Sequence, residues 1–268
     1  MIVEILVIGN EILIGKTQDT NSNYMAKRIT KYGHKIRRIT AVGDDLDEIS
    51  SAMKEIINRK PDMVITCGGL GPTFDDMTLL GVGKALNREL ELNQHAYNSI
   101  KKAYDAAYKQ GVLKLDGMTK EREKMAYLPE GSTPLPNLRG TAPGVKIKQK
   151  FEEAEIQIFC VPGVPIEMKS MFKIVLLPIL KESKGKFMEK NFTFSGIGES
   201  HIAPYVTEIE EKYSNLWIKT HPRLGEFGAE IEVSITAFNV ENAEVMADKI
   251  IEELKKIVIN LKGKIKQD

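Results

Sequence analysis

Short runs that are apolar at nearly every position alternate, through the first part of the chain, with longer stretches whose apolar residues recur every three or four positions. Ile2 to Ile8 is one such continuous run, the pattern of a strand covered on both faces of its sheet. Asn21 to Tyr32 places Tyr24, Met25, Ile29 and Tyr32 on one face of a helix. Lys35 to Val42 reads as a second strand. Asp45 to Arg59 reads as a helix with Ile49, Met53, Ile56 and Ile57 inward, and Asp62 to Cys67 as a third strand. Helices follow over Met77 to Asn87 and Gln94 to Tyr108, then a strand over Ile156 to Val161 and a helical segment over Ile166 to Leu180. This alternation predicts an α/β sandwich on a mostly parallel sheet.

Two stretches interrupt the rhythm. LPEGSTPLPNLRGTAPG, Leu128 to Gly144, is rich in proline and glycine. A buried strand follows it, so it reads as a loop inside the first domain, able to wrap a ligand. ESKGKFMEKN, Glu182 to Asn191, is charged and polar and reads as a boundary. Beyond it come a strand near Phe192 to Phe194, a helix over Glu199 to Tyr213, strands over Leu216 to Thr220 and Ala229 to Phe238, and a helix over Asn242 to Leu261. That β-α-β-β-α order predicts a small α+β domain. The expected domains are 1–183 and 190–268, and the final LKGKIKQD reads as a solvated basic tail.

Composition narrows the partners. Lys and Arg number 38 and Asp and Glu 37, a net charge of +1, which argues against nucleic-acid binding by bulk electrostatics. The 2 cysteines, Cys67 and Cys160, lie in apolar runs, as in a reducing compartment. The opening MIVEILVIGN has no basic residue ahead of its apolar part and is too short to span a bilayer, so it reads as a strand. A cytoplasmic protein is expected.

Ligands of open α/β sheets bind beyond the carboxyl ends of the strands. Three unusual stretches fall there: GNEILIG (Gly9 to Gly15), GGLGPTFDD (Gly68 to Asp76) and VPGVPIE (Val161 to Glu167). Gly68, Gly69 and Gly71 permit close approach and can aim backbone N–H groups inward as an anion nest. Thr73 adds a hydroxyl, and the helix starting near Met77 adds its positive end. A phosphate or diphosphate is the expected guest. Asp75 and Asp76 would repel it unless a cation intervenes, and Mg²⁺ takes carboxylate and phosphate oxygens together. Asp44, Asp45 and Glu11 fall on the same rim. The rival explanation is capping: Asp76, Asp44 or Asp45 could each simply start the helix that follows it. His34, His95, His201 and His221 lack a metal-ligand spacing, with His221 read as structural. Cys67 and Cys160 read as core, and Ser195 and Ser200 lack a nucleophile elbow.

The motifs GNEILIG, DTNSNYMA, AVGDD, TCGGLGPTFDD, KMAYLPEG, NLRGTAPG and VPGVPIEM occur together and in this order. In that combination the chain resembles the CinA family, the competence/damage-inducible proteins, whose first domain is similar to the molybdopterin-binding fold of MoaB and MogA. The resemblance covers Ile2 to about Leu180. FSGIGES and GEFGAEI further resemble that family's KH-like module. The nicotinamide mononucleotide deamidase domain of many members has no counterpart here.

The resemblance implies a three-layer first domain and a metal-dependent hydrolase acting on ADP-ribose or a related dinucleotide, using Mg²⁺, Mn²⁺ or Co²⁺ with K⁺ assisting. It implies Asp44, Asp75 and Asp76 as catalytic, with Asp44 and Asp76 holding the metal. It places Asn10, Glu11, Gly68, Gly69, Gly71, Thr73, Asn137, Gly140, Thr141, Gly144, Pro162, Gly163 and Glu167 around the substrate. Lys124 or Arg122 would neutralise a leaving phosphate. Self-association as a homo-oligomer, a dimer in the first instance, is also implied. The alternative is a non-catalytic binder of a nucleotide or molybdopterin-like ligand. Nucleic-acid binding is disfavoured, because GIGES offers no basic pair between flanking glycines.

Overall fold

Strand β1 (Ile2–Ile8) is buried at every position but its first, and β3 (Met63–Cys67) at all of its positions. That is the environment of central parallel strands covered by helices on both faces. The computed structural model describes residues 1–114, 116–151, 154–225 and 228–266. The chain divides into two units, one of Met1–Thr30 with His34–Ser183, the other of Lys31–Gly33 with Lys184–Asp268.

In the first unit β1 leads through a short helix α1 (Asn10–Leu13) to α2 (Thr20–Lys31), β2 (Lys35–Val42), α3 (Leu46–Asn58) and β3. There follow α4 (Thr78–Leu86), β4 (Leu90–Leu92), α5 (Gln94–Lys109), α6 (Lys120–Lys124), β5 (Tyr127–Pro129), β6 (Thr133–Leu135), β7 (Gly144–Phe151) and β8 (Ala154–Val161). The sheet runs β2-β1-β3-β8-β7-β6. Its first four strands are parallel, while β7 and β6 add antiparallel pairs at one edge. The mostly parallel α/β fold expected from the sequence is therefore present, with an antiparallel margin that the apolar pattern did not announce.

Two expectations change here. The Leu128–Gly144 stretch is not one irregular loop, because β5 and β6 form inside it and only residues 130–132 and 136–143 remain without strand or helix. The single helix expected over Ile166–Leu180 is α7 (Pro165–Met171), a π-helical turn (Phe172–Leu176) and α8 (Leu177–Glu182). Pro178 has no N–H to donate to the turn before it, and a wider turn accommodates that loss.

A charge lies wholly inside this unit. Glu4 on β1 has no exposed surface. Arg59, just past α3, grips it with Nε 3.1 Å from each oxygen and a terminal nitrogen 2.7 Å from Oε2. Arg37 stands 3.6 Å away. The bond to Glu4 raises the Arg59 pKa.

The second unit is β9 (Phe187–Ser195), α9 (Glu199–Lys212), β10 (Trp217–Gly225), β11 (Gly228–Phe238), α10 (Ala243–Asn260) and β12 (Lys264–Ile265). Its antiparallel sheet runs β10-β11-β9-β12 over a core that includes Phe192, Phe194, Ile202, Val233 and Leu254. The terminal segment is thus more than a solvated tail, since Lys264 and Ile265 pair with Ser195 and Phe194. No helix among the described residues is long and apolar enough to cross a membrane.

Candidate functional site

Because β1, β3 and β8 are parallel neighbours, the turns after Ile8, Cys67 and Val161 emerge on one rim. They line a cleft of about 470 Å³ that takes in Gly9, Glu11, Asp44, the Gly68–Thr73 turn, Asp75 and Asp76. Thr141, Pro162, Gly163 and Glu167 close its other side. The three stretches singled out in the sequence therefore do meet.

The turn is fixed from behind. Gly68 has φ +113, and a Cβ there would lie 2.1 Å from the Ile8 carbonyl oxygen. Gly69 has φ +63. The Thr78 hydroxyl, fully buried in the first turn of α4, donates to the Gly68 carbonyl at 2.8 Å, and the Thr78 N–H donates to Gly69 at 3.2 Å. Lys124 Nζ donates to the Thr73 carbonyl from α6. Among the described hydrogen bonds, none takes the backbone N–H of Gly69, Leu70 or Gly71. Those three donors are available to an anion.

Thr73 plays a different part from the one expected. Its N–H donates to Asp76 Oδ2 at 2.9 Å, and its hydroxyl, with one proton to give, lies 2.5 Å from Asp75 Oδ1 and 2.6 Å from Asp76 Oδ2. The threonine thus orients the two acids. The bond from Thr73 lowers the Asp75 pKa. Asp76 is not a helix cap, since α4 begins after Met77 with no side-chain cap. Asp45 is one: its side chain accepts from Asp47 N–H at 2.9 Å and Glu48 N–H at 3.0 Å.

Asp44 belongs to the cleft. Its Oδ2 accepts the Asn10 N–H at 2.7 Å, and its own N–H donates to Asn10 Oδ1 at 3.3 Å, so Asn10 pins the first rim loop to the second. Burial raises the Asp44 pKa, the Asn10 N–H opposes that, and the charges of Glu11, Asp75 and Asp76 raise it further. Asp44 therefore feels three other carboxylates of the cleft, which also takes in the Gly69–Gly71 backbone.

Several of the other residues also make contacts within the fold. Asn137 Nδ2 donates to Glu167 Oε2 at 2.7 Å and to the Ala142 carbonyl at 2.8 Å, fastening the 136–143 loop to α7. Gly140 stands beside that contact, where a Cβ would meet Glu167 Oε2 at 2.1 Å and displace the carboxylate. Gly144 packs against Met171. Arg122 lies 4.0 Å over the Tyr104 ring and donates to the Gly117 carbonyl. Burial pushes the Cys67 thiol up to about 12 and the Cys160 thiol up to about 11. Thr78 escaped the sequence reading, as did Asn21, whose Nδ2 donates to the Gly163 carbonyl at 2.7 Å. The available signal was a polar residue opening each of two otherwise amphipathic helices.

A family model described as a probable molybdopterin binding domain matches residues 4–182. The chain belongs to that family. It is 43% identical to a protein of Sulfurisphaera tokodaii, covering 98% of this chain and 97% of the relative. It is 42% identical to a protein of Sulfolobus acidocaldarius, with the same coverage of both chains. A crystal structure of the protein CinA, of unknown function, from Thermoplasma acidophilum is 36% identical and covers 67% of this chain and 99% of its own, with a TM-score of 0.57.

Membership of the molybdopterin-binding family corrects the expected chemistry. The model that matches the unit carrying the cleft describes ligand binding and not cleavage of a diphosphate. The assignment as an ADP-ribose pyrophosphatase is withdrawn, and with it the hydrolase class and the catalytic roles of Asp44, Asp75 and Asp76. The alternative, a binder of a nucleotide or molybdopterin-like ligand, fits the family.

Proposed function

We propose that this chain binds a small phosphate-bearing pterin or nucleotide in the rim cleft, with a divalent cation shared between the ligand's phosphate and the carboxylates of Asp44 and Asp76. The observation that carries this reading is the co-location of opposite demands. The unengaged N–H groups of Gly69, Leu70 and Gly71 belong to the same cleft as Glu11, Asp44, Asp75 and Asp76. A bare anion satisfies the first group and is repelled by the second. A cation–phosphate pair satisfies both.

The donor set fits that role. Among the described residues no three His, Cys, Asp or Glu side chains form a cage of their own. Mg²⁺ commonly uses one or two carboxylates plus ligand phosphates and keeps several waters. Asp44 Oδ1 and Asp76 Oδ1 have no described hydrogen-bond partner. When bound, the ion would neutralise phosphate charge beside the acids. Mn²⁺ and Co²⁺ are candidates on the same ligands.

Calorimetric titration of the purified chain with inorganic diphosphate, ADP and hydroxymethylpterin diphosphate tests this, with and without Mg²⁺ and with K⁺ as an additive. The expected result is Mg²⁺-dependent binding, lost in Asp76→Asn, with ligand recovered intact. Binding that ignores both the cation and Asp76 would refute the shared-cation site. The homodimer implied by the family resemblance is part of this proposal and is read by sedimentation of the same sample.

A further inference from the structure

The Gly68–Thr73 turn has a second cleft on it. Gly69, Leu70, Gly71, Asp76 and Met125 line both the polar cleft and an apolar one of about 570 Å³. Phe74, Met77, Leu80, Leu90 and Tyr127 furnish the apolar wall, and Lys120, Glu123 and Lys124 of α6 the edge. Three of these side chains spend apolar surface on solvent: Phe74 is 87% exposed, Leu80 47% and Tyr127 38%. The wall comes from α4, β4, α6 and β5, all within the first unit.

We propose that this cleft seats the planar heteroaromatic ring of the ligand whose phosphate occupies the polar cleft. The inference rests on the binding function proposed above and adds where the ring goes. Three features favour a ring here. The volume lies within the range of small-molecule pockets, which are mainly apolar with a few polar groups at the edge. Phe74 and Tyr127 offer aromatic faces, on which a flat base or pterin stacks and an aliphatic chain does not. The clefts adjoin, since both are lined by Gly69, Leu70, Gly71, Asp76 and Met125, so a ligand held by the turn has apolar surface beside its phosphate. Lys124 joins the halves, since it lines the apolar cleft while holding the Thr73 carbonyl of the phosphate turn. Adenine and pterin share this chemistry, and the test separates them.

The test uses the full chain with Mg²⁺ and three probes: inorganic diphosphate, ADP and hydroxymethylpterin diphosphate. Two variants, Phe74→Ala and Leu80→Glu, alter the apolar cleft at exposed positions that do not line the polar one. The expected result is that a ring-bearing ligand binds wild type more tightly than diphosphate does. Both variants should weaken it roughly 10- to 100-fold, the range of a lost base–aromatic stack, while diphosphate affinity stays the same. Whichever of ADP and the pterin loses more identifies the ring class. The proposal is overturned if ring-bearing ligands bind the variants as they bind wild type. It is also overturned if diphosphate affinity falls as far as theirs, or if the variants change the sedimentation of the chain instead, which would make the patch a contact between copies. Diphosphate that binds as tightly as either ring ligand would sink the ring seat and leave the phosphate site standing. Failure of wild type to bind any probe would remove both.

Discussion

Asp44→Asn should make the unliganded protein more stable and the liganded protein less so. Asparagine keeps the volume of the side chain and an oxygen to accept the Asn10 N–H, so the bond at 2.7 Å can survive. What goes is one negative charge that burial and the neighbours Glu11, Asp75 and Asp76 disfavour. A carboxyl whose folded pKa is raised binds its proton more tightly folded than unfolded. Its contribution to stability is therefore greatest below the unfolded value, falls as pH climbs through the folded value, and is a net cost at neutral pH. The side chain is partly exposed, so solvent screening holds that cost to about 0.5–1 kcal/mol. Urea unfolding followed by circular dichroism should show the variant more stable by that amount at neutral pH, with the difference vanishing below about pH 4, where wild-type Asp44 carries its proton. Adding Mg²⁺ and diphosphate at a hundred times their dissociation constant should stabilise wild type by about 2.7 kcal/mol and the variant far less. A variant less stable than wild type without ligand would refute the account of Asp44 as a held repulsion. An equal ligand-linked gain in both proteins would remove Asp44 from the cation site.

Thr78→Val strips the donor from the buried Gly68 carbonyl and should cost about 1–3 kcal/mol, together with diphosphate affinity; Thr78→Ser should retain that affinity, and a serine variant that binds no better than valine would contradict the assignment. Arg59→Met leaves Glu4 buried without its bidentate partner and should cost roughly 3 kcal/mol by urea unfolding, whereas a change below about 1 kcal/mol would mean that Arg37 or water replaces it. Gly140→Ala forces Glu167 off Asn137, and hydrogen exchange across residues 136–143 should quicken; unchanged exchange would show the contact to be dispensable. Native Cys67 and Cys160 should resist thiol reagents at neutral pH, since burial keeps both protonated, and rapid labelling of either would overturn their placement in the core.

What the sequence disclosed followed from burial on both faces. Strands β1, β3 and β8 and helices α2 to α5 were legible because continuous apolar runs and helical spacing stand out, whereas β2, with no buried position, was read from its β-branched residues and its place in the alternation. Strand β7 went unread because its period-two pattern, with Val145 and Ile147 inward, is interleaved with Lys146, Lys148 and Lys150, which read as solvent-facing charge. Strands β4, β5, β6 and β12 have two or three residues each, too few for any period to declare itself. The rim was legible because strand direction alone brings the three turns together. The division of labour within it was not. Asp44 and Asp45 are adjacent and chemically identical, yet one lines the cleft and the other caps α3. Only the φ and ψ of the turn decide which way each points.

The glycines carry a separate lesson about what such motifs report. A phosphate turn is usually read as glycine-rich so that a ligand can come close. Here the protein's own atoms fill the space a side chain would need: the Ile8 carbonyl beside Gly68, the Thr78 hydroxyl beside Gly69, Glu167 beside Gly140 and Met171 beside Gly144. Rim turns pressed against one another would demand those glycines even in a protein that bound nothing. The motif is therefore evidence for the architecture first. Evidence for a ligand has to come from groups the architecture leaves unspent, namely the N–H groups of Gly69 to Gly71 and the outer oxygens of Asp44 and Asp76. Substituting a rim glycine would damage fold and binding together and could not separate them. Replacing a carboxylate while keeping its inner hydrogen bond can, because it alters only what faces the cleft.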